Sequence, residues 1–391
     1  MNHADVVIVG AGPIGLCFAR ALATSGLTIA LVDRQPSEHL ATPVFDGREI
    51  ALTHASRALL EALGIWPLIP GRDIHPLREA KVLNGPSAFS LDFAARPRQA
   101  TELGWLVPNQ QIRRAAWTAA DGQERLRLID GVSVNAIETR VDDMQVTLSD
   151  GRLITTQLVV AADNRFSAIR RLLGIGASVR DFGRSMLVCR MRHERDHAHT
   201  AVEWFGYGKT LALLPLDEKR SSAVVTLPPH RIEALMAMAK ADFDASISAL
   251  FEHRFGAMQA DGERHAYPLV SVYANRFVGP RSALIGDAAV GMHPVTAHGF
   301  NLGLQSVERL SSALRGAAQG GGDIGEATLL AAYERDHRLV SRPLYEATNA
   351  IVSLYTDDRL PLRLLRNAAL RVAQHLPPFK GAVTAHLTRT R

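Results

Sequence analysis

The chain has 391 residues, 47% of them hydrophobic, with 44 Lys and Arg against 39 Asp and Glu for a net charge of +5. That length favours two or three domain-sized units around a substantial core, and no apolar run approaches the roughly 18 residues needed to cross a bilayer. The two cysteines, Cys17 and Cys189, form neither a disulfide framework nor a metal spacing, and no aromatic-interleaved basic pattern marks a nucleic-acid binder.

The first segment, "ADVVIVGAGPIGLCFARALATSGLTIALVDR", reads as strand, glycine turn, helix, strand. Residues 5–9 form a continuous apolar run, as expected of a strand buried on both faces of a parallel sheet. The run lacks a basic region before it and is not read as a signal peptide. Helical periodicity follows over 13–24, and 27–32 is the second strand. Between them Gly10, Gly12 and Gly15 form G-x-G-x-x-G. The first glycine permits a tight turn, the second lets backbone approach a pyrophosphate, and the third lets helix and strand pack closely. Asp33 ends the second strand, where a carboxylate accepts hydrogen bonds from ribose hydroxyls and repels a 2′-phosphate.

"FDGREIALTHASRALLEALGIW" reads as a loop and a helix. Residues 131–163 then alternate as strands around an Asp150-Gly151 turn, closing on an apolar strand that ends in Ala162-Asp163. From about 180 to 272 the character changes to short strands, followed by a helical stretch through Phe255. This predicts an inserted antiparallel sheet, in which Phe205 and the strand "LALLPL", with Leu213, Leu214 and Pro215, wall a hydrophobic pocket. "HERDH", residues 193–197, matches the zinc-protease pattern H-E-x-x-H. It follows a strand rather than lying on an amphipathic helix, so it is read as a solvated hairpin loop, and no metal is expected.

The chain returns with "SALIGD", a strand ending in Gly286-Asp287, and a helix opened by Gly299. Two remote strand ends, each finishing in a small residue plus Asp, suit an extended cofactor that crosses from adenosine to a ribityl chain. No second G-x-G-x-x-G occurs. The remainder is helical. From Arg359 onward there is no Asp or Glu, and leucines alternate with arginines. Such a tail suits either an anionic membrane surface or packing on the domain.

The glycine motif, "ADNRFSAIR" and "GDAAVGMHP…HGFNLG" follow one another as in the single-component class A flavoprotein monooxygenases, which this chain resembles throughout. "GREIALTHAS", "VPNQQIRRAAW", "LALLPL", "HGFNLGLQSVERL", "YERDHR" and "SLYTDDRLPLRLLRNAALRVAQHLPPFKG" resemble the ubiquinone-biosynthesis hydroxylases within that family. The resemblance implies an α/β fold with a glutathione-reductase-type, Rossmann-like FAD domain (1–75, 98–180 and 273–330). It also implies an inserted antiparallel-sheet substrate domain (76–97 and 181–272) and a helical C-terminal region (331–391). It implies FAD, held by Gly10, Gly12, Gly15 and Asp33 at its ADP part. Arg48, Gln110 and Arg113 would lie along the phosphates and ribityl chain, Asp163 would shape the same site, and Gly286 and Asp287 would meet the ribityl hydroxyls. The helix start at Gly299, Phe300 and Asn301 would face the flavin pyrimidine edge, where a helix N-terminus stabilises negative charge. Pro294 joins the substrate pocket.

The implied activity is hydroxylation of a polyprenylated phenol or quinol with O2, through a flavin C4a-hydroperoxide, with NAD(P)H or another donor as transient reductant. The implied setting is cytoplasmic, with peripheral association at the inner face of the membrane or with other proteins of ubiquinone biosynthesis. The alternatives are a flavin monooxygenase acting on a soluble ring and a non-catalytic flavin-binding module. The chain departs from the family at Asn164 (usually Gly), Val290 (often His) and Asn349 (often Asp). Ala297-His298-Gly299 stands for Gly-Gln-Gly. His298 either replaces the Gln as a hydrogen-bonding spacer or acts on the substrate proton. His293, before Pro294, is read as structural.

Overall fold

The computed structural model describes residues 3–87, 89–94, 101–296 and 298–356, with Arg359, Arg366, Val372, Gln374 and Thr388. The basic tail lies outside the described residues apart from those five. Of these, Arg366 is fully buried, donates Nε–H to the Leu354 carbonyl at 2.7 Å and sits over the Tyr355 ring.

A mixed sheet is built on His3–Val9, which pairs in parallel with Leu153–Ala161 on one side and Ile29–Val32 on the other. Ser282–Leu284 and Leu126–Ile129 extend the parallel ladder outward. Val6, Val7, Ile8, Leu158, Val159 and Val160 are all fully buried. They read as unbroken apolar runs because both faces of a parallel sheet are covered. Four of these strands end at one edge, so Gly10, Asp33, Ala162-Asp163 and Gly286-Asp287 meet there although they are remote in sequence. Helix Pro13–Ala21 stops short of the expected 24, where the Ser25 hydroxyl donates to the Leu22 carbonyl and Gly26 turns the chain at φ +77°.

The second sheet runs from Val290–Gly291 through His265–Ala274, Ala177–His193, Arg220–Leu227, Thr210–Pro215 and Thr200–Phe205 to Glu79–Asn84 and Ser90–Ala94. One face packs Leu187, Cys189, Met191, Leu211, Leu213 and Val225 beneath helices Pro229–Ala237 and Lys240–Leu250. The other face looks toward the edge of the first sheet. Strand Val290–Gly291 pairs with His265–Ala274, so the loop after Gly286-Asp287 ties the two sheets together.

The segment "GREIAL" was expected as loop, but Glu49–Leu52 is a strand pairing with Gly104–Pro108. Its partner lies over fifty residues away, which local pattern cannot reveal. "HERDH" is not the solvated loop expected from sequence. His193 and His197 are buried, with the His193 ring bonded to the Ser221 hydroxyl and the Arg195 carbonyl, and the His197 ring to the Asp217 carbonyl. They pin a turn by hydrogen bonds rather than standing in solvent. Among the described residues no group of three His, Cys, Asp or Glu could hold a metal, and no helix is long and apolar enough to cross a membrane.

Candidate functional site

At the strand edge the three glycines each meet a different requirement. Gly10 has φ +110°, and a Cβ there would lie 2.6 Å from the Ala162 carbonyl oxygen. A Cβ on Gly15 would fall onto the Gly10 carbonyl, whereas one on Gly12 would meet nothing within 4 Å. Two glycines therefore allow the strand, the turn and the neighbouring strand to touch. The third leaves clear space before the N-terminus of Pro13–Ala21, a helix end with unpartnered N–H groups and partial positive charge. Asp33 Oδ2 accepts from Ala11 N at 2.6 Å and Oδ1 from Gln35 N at 2.8 Å, which fixes the carboxylate beside that space.

Arg48 is bound to Asp46 at 2.5 Å. Burial opposes its charge, but the Asp46 carboxylate outweighs that and holds its pKa above the usual arginine value. Asn109 donates to the same Asp46 carboxylate at 2.7 Å. Asp163 Oδ2 accepts from Ala168 N and Ile169 N, and burial raises its pKa. Asp287 accepts from Arg165 at 3.0 Å, and Arg165 also donates to the Val270 carbonyl. Arg170, 4% exposed, donates to the Ala288 and Arg165 carbonyls, so the second and third sequence motifs are bolted to each other.

One continuous cavity of about 1100 Å³ joins these parts. It begins at Gly10, Gly12, Asp33 and Arg113, passes Arg48, Asp163, Gly286 and Asp287, and reaches Gly299 and Phe300 at the start of helix Gly299–Gln319. Beyond them its far wall is the exposed-side face of the second sheet, with Phe205, Leu214, Val224 and Met186, closed by Pro294 and Val352. Phe205 packs on Tyr355 with ring centroids 4.0 Å apart.

The profile of the family described as FAD binding domain matches residues 3–348. The chain belongs to that family. It is 45% identical over 390 residues to ubiquinone hydroxylase UbiM of Neisseria meningitidis, covering 99% of this chain and 85% of that one. It is 34% identical to ubiquinone hydroxylase UbiL of Rhodospirillum rubrum, covering 99% and 90% of the two chains. The crystal structure of PqsL, a probable FAD-dependent monooxygenase from Pseudomonas aeruginosa, aligns with TM-score 0.76 at 22% identity over 95% of this chain and 100% of that one. That of p-nitrophenol 4-monooxygenase PnpA from Pseudomonas putida aligns with TM-score 0.78 at 16% identity over 99% and 98%. These two likenesses establish the fold.

The residues present fit FAD. The cradle has no room for side chains at Gly10 and Gly15, is open at Gly12, carries the braced Asp33 carboxylate, and leads to a second helix N-terminus at Gly299, where, among the described residues, a Cβ would meet the Met292 Cβ at 3.9 Å.

The side chains of several expected site residues are engaged away from the cavity, Asn301 among them, although its place at the helix start rests on its backbone amide. Gln110 donates to the Pro43 carbonyl at 2.7 Å and does not line the cavity. The Asn301 side chain is buried and committed to the fold. It accepts from Thr53 N and the Ser56 hydroxyl and donates to the Ala51 carbonyl, holding the helix start against Glu49–Leu52. His298 is the N-cap of its helix, half-buried and off the cavity wall. Leu213 is fully buried in the second core, and Pro215 shares its face; only Leu214 of that strand's apolar end looks into the cavity. Strand side chains alternate, so three consecutive residues cannot wall one pocket.

The cavity wall also holds Glu49 and Glu203, which the sequence did not single out, and His293, which was read as structural. Glu49 receives both Nε–H and Nη2–H of Arg190 on one carboxylate oxygen, at 2.9 and 2.7 Å, and burial raises its pKa against that attraction. His293 lines the wall against Phe182, accepts from Val295 N at Nδ1, and burial pushes its pKa down to about 4. It is a neutral imidazole with its proton on Nε2. Glu203 stands on the same wall as Phe205. Its only advance signal is a charge at an alternating position within the apolar strand "TAVEWF".

Proposed function

We propose that this protein is an FAD-dependent aromatic ring hydroxylase that inserts one oxygen atom of O2 into a polyprenylated phenol or quinol of ubiquinone biosynthesis. The observation that carries it is a single cavity that starts at a dinucleotide cradle and ends at an apolar sheet face, in a chain 45% identical along its length to a ubiquinone hydroxylase. In this reading Gly10, Gly12, Gly15 and Asp33 hold the ADP part of FAD, Arg48 and Arg113 lie along its phosphates, and Asp287, oriented by Arg165, meets the ribityl hydroxyls.

Bound FAD, reduced by NAD(P)H or another external donor, supplies the activation of O2. The chain supplies placement. The Gly299 helix start offers amide donors and partial positive charge where negative charge develops. Phe205, Leu214, Val224 and Met186 present a dry surface to the ring and prenyl chain and exclude water, which would divert the oxygen into peroxide. Neutral His293 offers an Nε2–H donor without placing a second positive charge beside Arg165.

The setting belongs to the same proposal. The acid-free stretch from Arg359 supports peripheral contact with an anionic membrane surface, where a prenylated substrate resides.

The test is direct. The purified protein should carry a yellow chromophore released as FAD, and should consume O2 and reductant in the presence of a prenylated phenol with one hydroxyl gained per turnover. A colourless protein that stays so after incubation with FAD would overturn the reading. Bound FAD with no substrate-dependent O2 uptake would favour a non-catalytic flavin module. Turnover of soluble phenols alone would favour aromatic degradation.

A further inference from the structure

We infer that Glu203 is a further catalytic residue of this site: its carboxylate takes the proton of the substrate's ring hydroxyl as the ring is hydroxylated. The inference rests on the hydroxylase reading and gives the cavity the base that the reading otherwise lacks, since His298 stands off the wall.

The placement follows from the strand. In Thr200–Phe205, Trp204 belongs to the second core, so Glu203 and Phe205 face the cavity. The residues directly opposite Glu203 are Ala212 on one neighbouring strand and Val82 on the other, and Val82 in turn pairs with Leu91. The carboxyl therefore projects from an apolar lattice. The charged residues nearest in the ladder, Lys81 and Asp92, occupy register positions opposite Val202 and Lys81, on the other face. Tyr355, on helix Ala327–Thr356, packs on Phe205.

Among the described residues, the other titratable groups at this end of the cavity already have partners. Glu49 holds Arg190, Arg184 donates to the Gly208 carbonyl at 3.1 Å, and Arg165 holds Asp287. Tyr267 donates to the Asp46 carbonyl at 2.6 Å, and His293 accepts from Val295 N. Among the described residues, no hydrogen bond or ion pair engages Glu203. Burial alone raises its pKa from 4.5 to about 8, with no charged neighbour contributing. A half-buried carboxyl in an apolar lattice, with no partner among the described residues, weakens a fold, and a glutamine or valine would serve the sheet better. A carboxyl held there without a partner, facing a cavity, is placed for a partner that arrives.

The chemistry matches. A phenol has a pKa near about 10, and a base titrating near 8 lies close to the operating pH, where general bases are most effective. The ring O–H bond breaks and a carboxyl O–H bond forms, with the electron pair staying on the ring oxygen and raising electron density at the carbon to be hydroxylated. When that carbon releases its own hydrogen as a proton to water, the ring oxygen recovers a proton from the Glu203 acid. The carboxylate is regenerated, and no oxidant beyond the reaction's own O2 is needed.

The FAD-loaded protein and its Glu203→Gln variant separate the outcomes. With 2-prenylphenol as substrate, the variant should keep its FAD and its KM but lose on the order of 100-fold in kcat, the typical worth of a positioned base. Wild-type kcat should rise with pH toward about 8 and level off, and the variant's profile should lose that rise. Infrared difference spectra, taken without reductant, should show a carboxylic-acid carbonyl band below pH 8 that shifts on adding 2-prenylphenol and is absent from the variant. Unchanged kcat and pH profile in the variant, or a band indifferent to the phenol, would overturn the assignment. Failure of the wild type to turn over would instead strike the hydroxylase reading, because the infrared shift judges Glu203 without turnover.

Discussion

Gly10 shows how little room the dinucleotide edge leaves. Its positive φ and the 2.6 Å approach of the Ala162 carbonyl to a Cβ mean that Gly10→Ala must push the first strand from its neighbour. We expect a loss of about 1–3 kcal/mol in stability, read by denaturant unfolding, together with loss of bound flavin, read by absorbance. Glu203 makes a second prediction at this scale. Its folded pKa of about 8 lies above the unfolded value of 4.5, so between these limits the folded chain holds the proton that the unfolded chain has released. That contribution to stability is fully present below pH 4.5, falls as pH rises, and is lost by about 8. Glu203→Gln should remove the decline from the stability–pH curve.

Alternation along the strand Thr210–Pro215 divides neighbours between stability and substrate. Leu213→Ala opens a hole in a closed core and should cost about 2–5 kcal/mol. Leu214→Ala touches the cavity instead; it should cost markedly less on unfolding and raise KM for a prenylated substrate. If the two variants lost equal stability, the facing described for this sheet would be wrong. The helix Gly299–Gln319 offers a parallel case. Asn301 ties its first turn to Glu49–Leu52 and His54–Ala62 through three side-chain hydrogen bonds, so Asn301→Ala should destabilise by about 1–3 kcal/mol. Because that turn borders the cavity at Gly299 and Phe300, the variant should also bind FAD more weakly, read by fluorescence titration.

For the molecule as a whole, the groove is made by four strand ends that no local segment could bring together. Ligand binding at such a convergence is linked to global folding. Free FAD at 100 times its dissociation constant should stabilise the chain by about 2.7 kcal/mol, seen as a higher melting midpoint in differential scanning calorimetry. Gly10→Ala should melt at the same temperature with or without FAD.

The glycine spacing, the Asp at the end of the second strand and the two later small-residue-plus-Asp strand ends were legible in the sequence, because each is a local solution to a local constraint: a tight turn, a close approach, a carboxylate at a strand tip. The wall of the apolar end of the cavity was only partly legible. "LALLPL" announces an apolar strand but not its register, so Leu213 and Pro215 could not be told from Leu214 until the sheet placed two helices over one face. Gln110 and His298 have the right chemistry in the right motifs, yet Gln110 spends its side chain on Pro43 and His298 caps a helix off the wall; Asn301, expected there through its backbone amide, gives its side chain to Thr53, Ser56 and Ala51. Glu203 carried almost no signal, since a lone glutamate in a strand is ordinary until both neighbouring strands supply Ala212 and Val82 and, among the described residues, leave it without a partner. By itself the sequence determined the cofactor cradle and the fold around it, where short-range backbone geometry dictates residue type. Only the tertiary structure decided which side chains face the cavity, because facing is a property of sheet register and of which surface the second core covers.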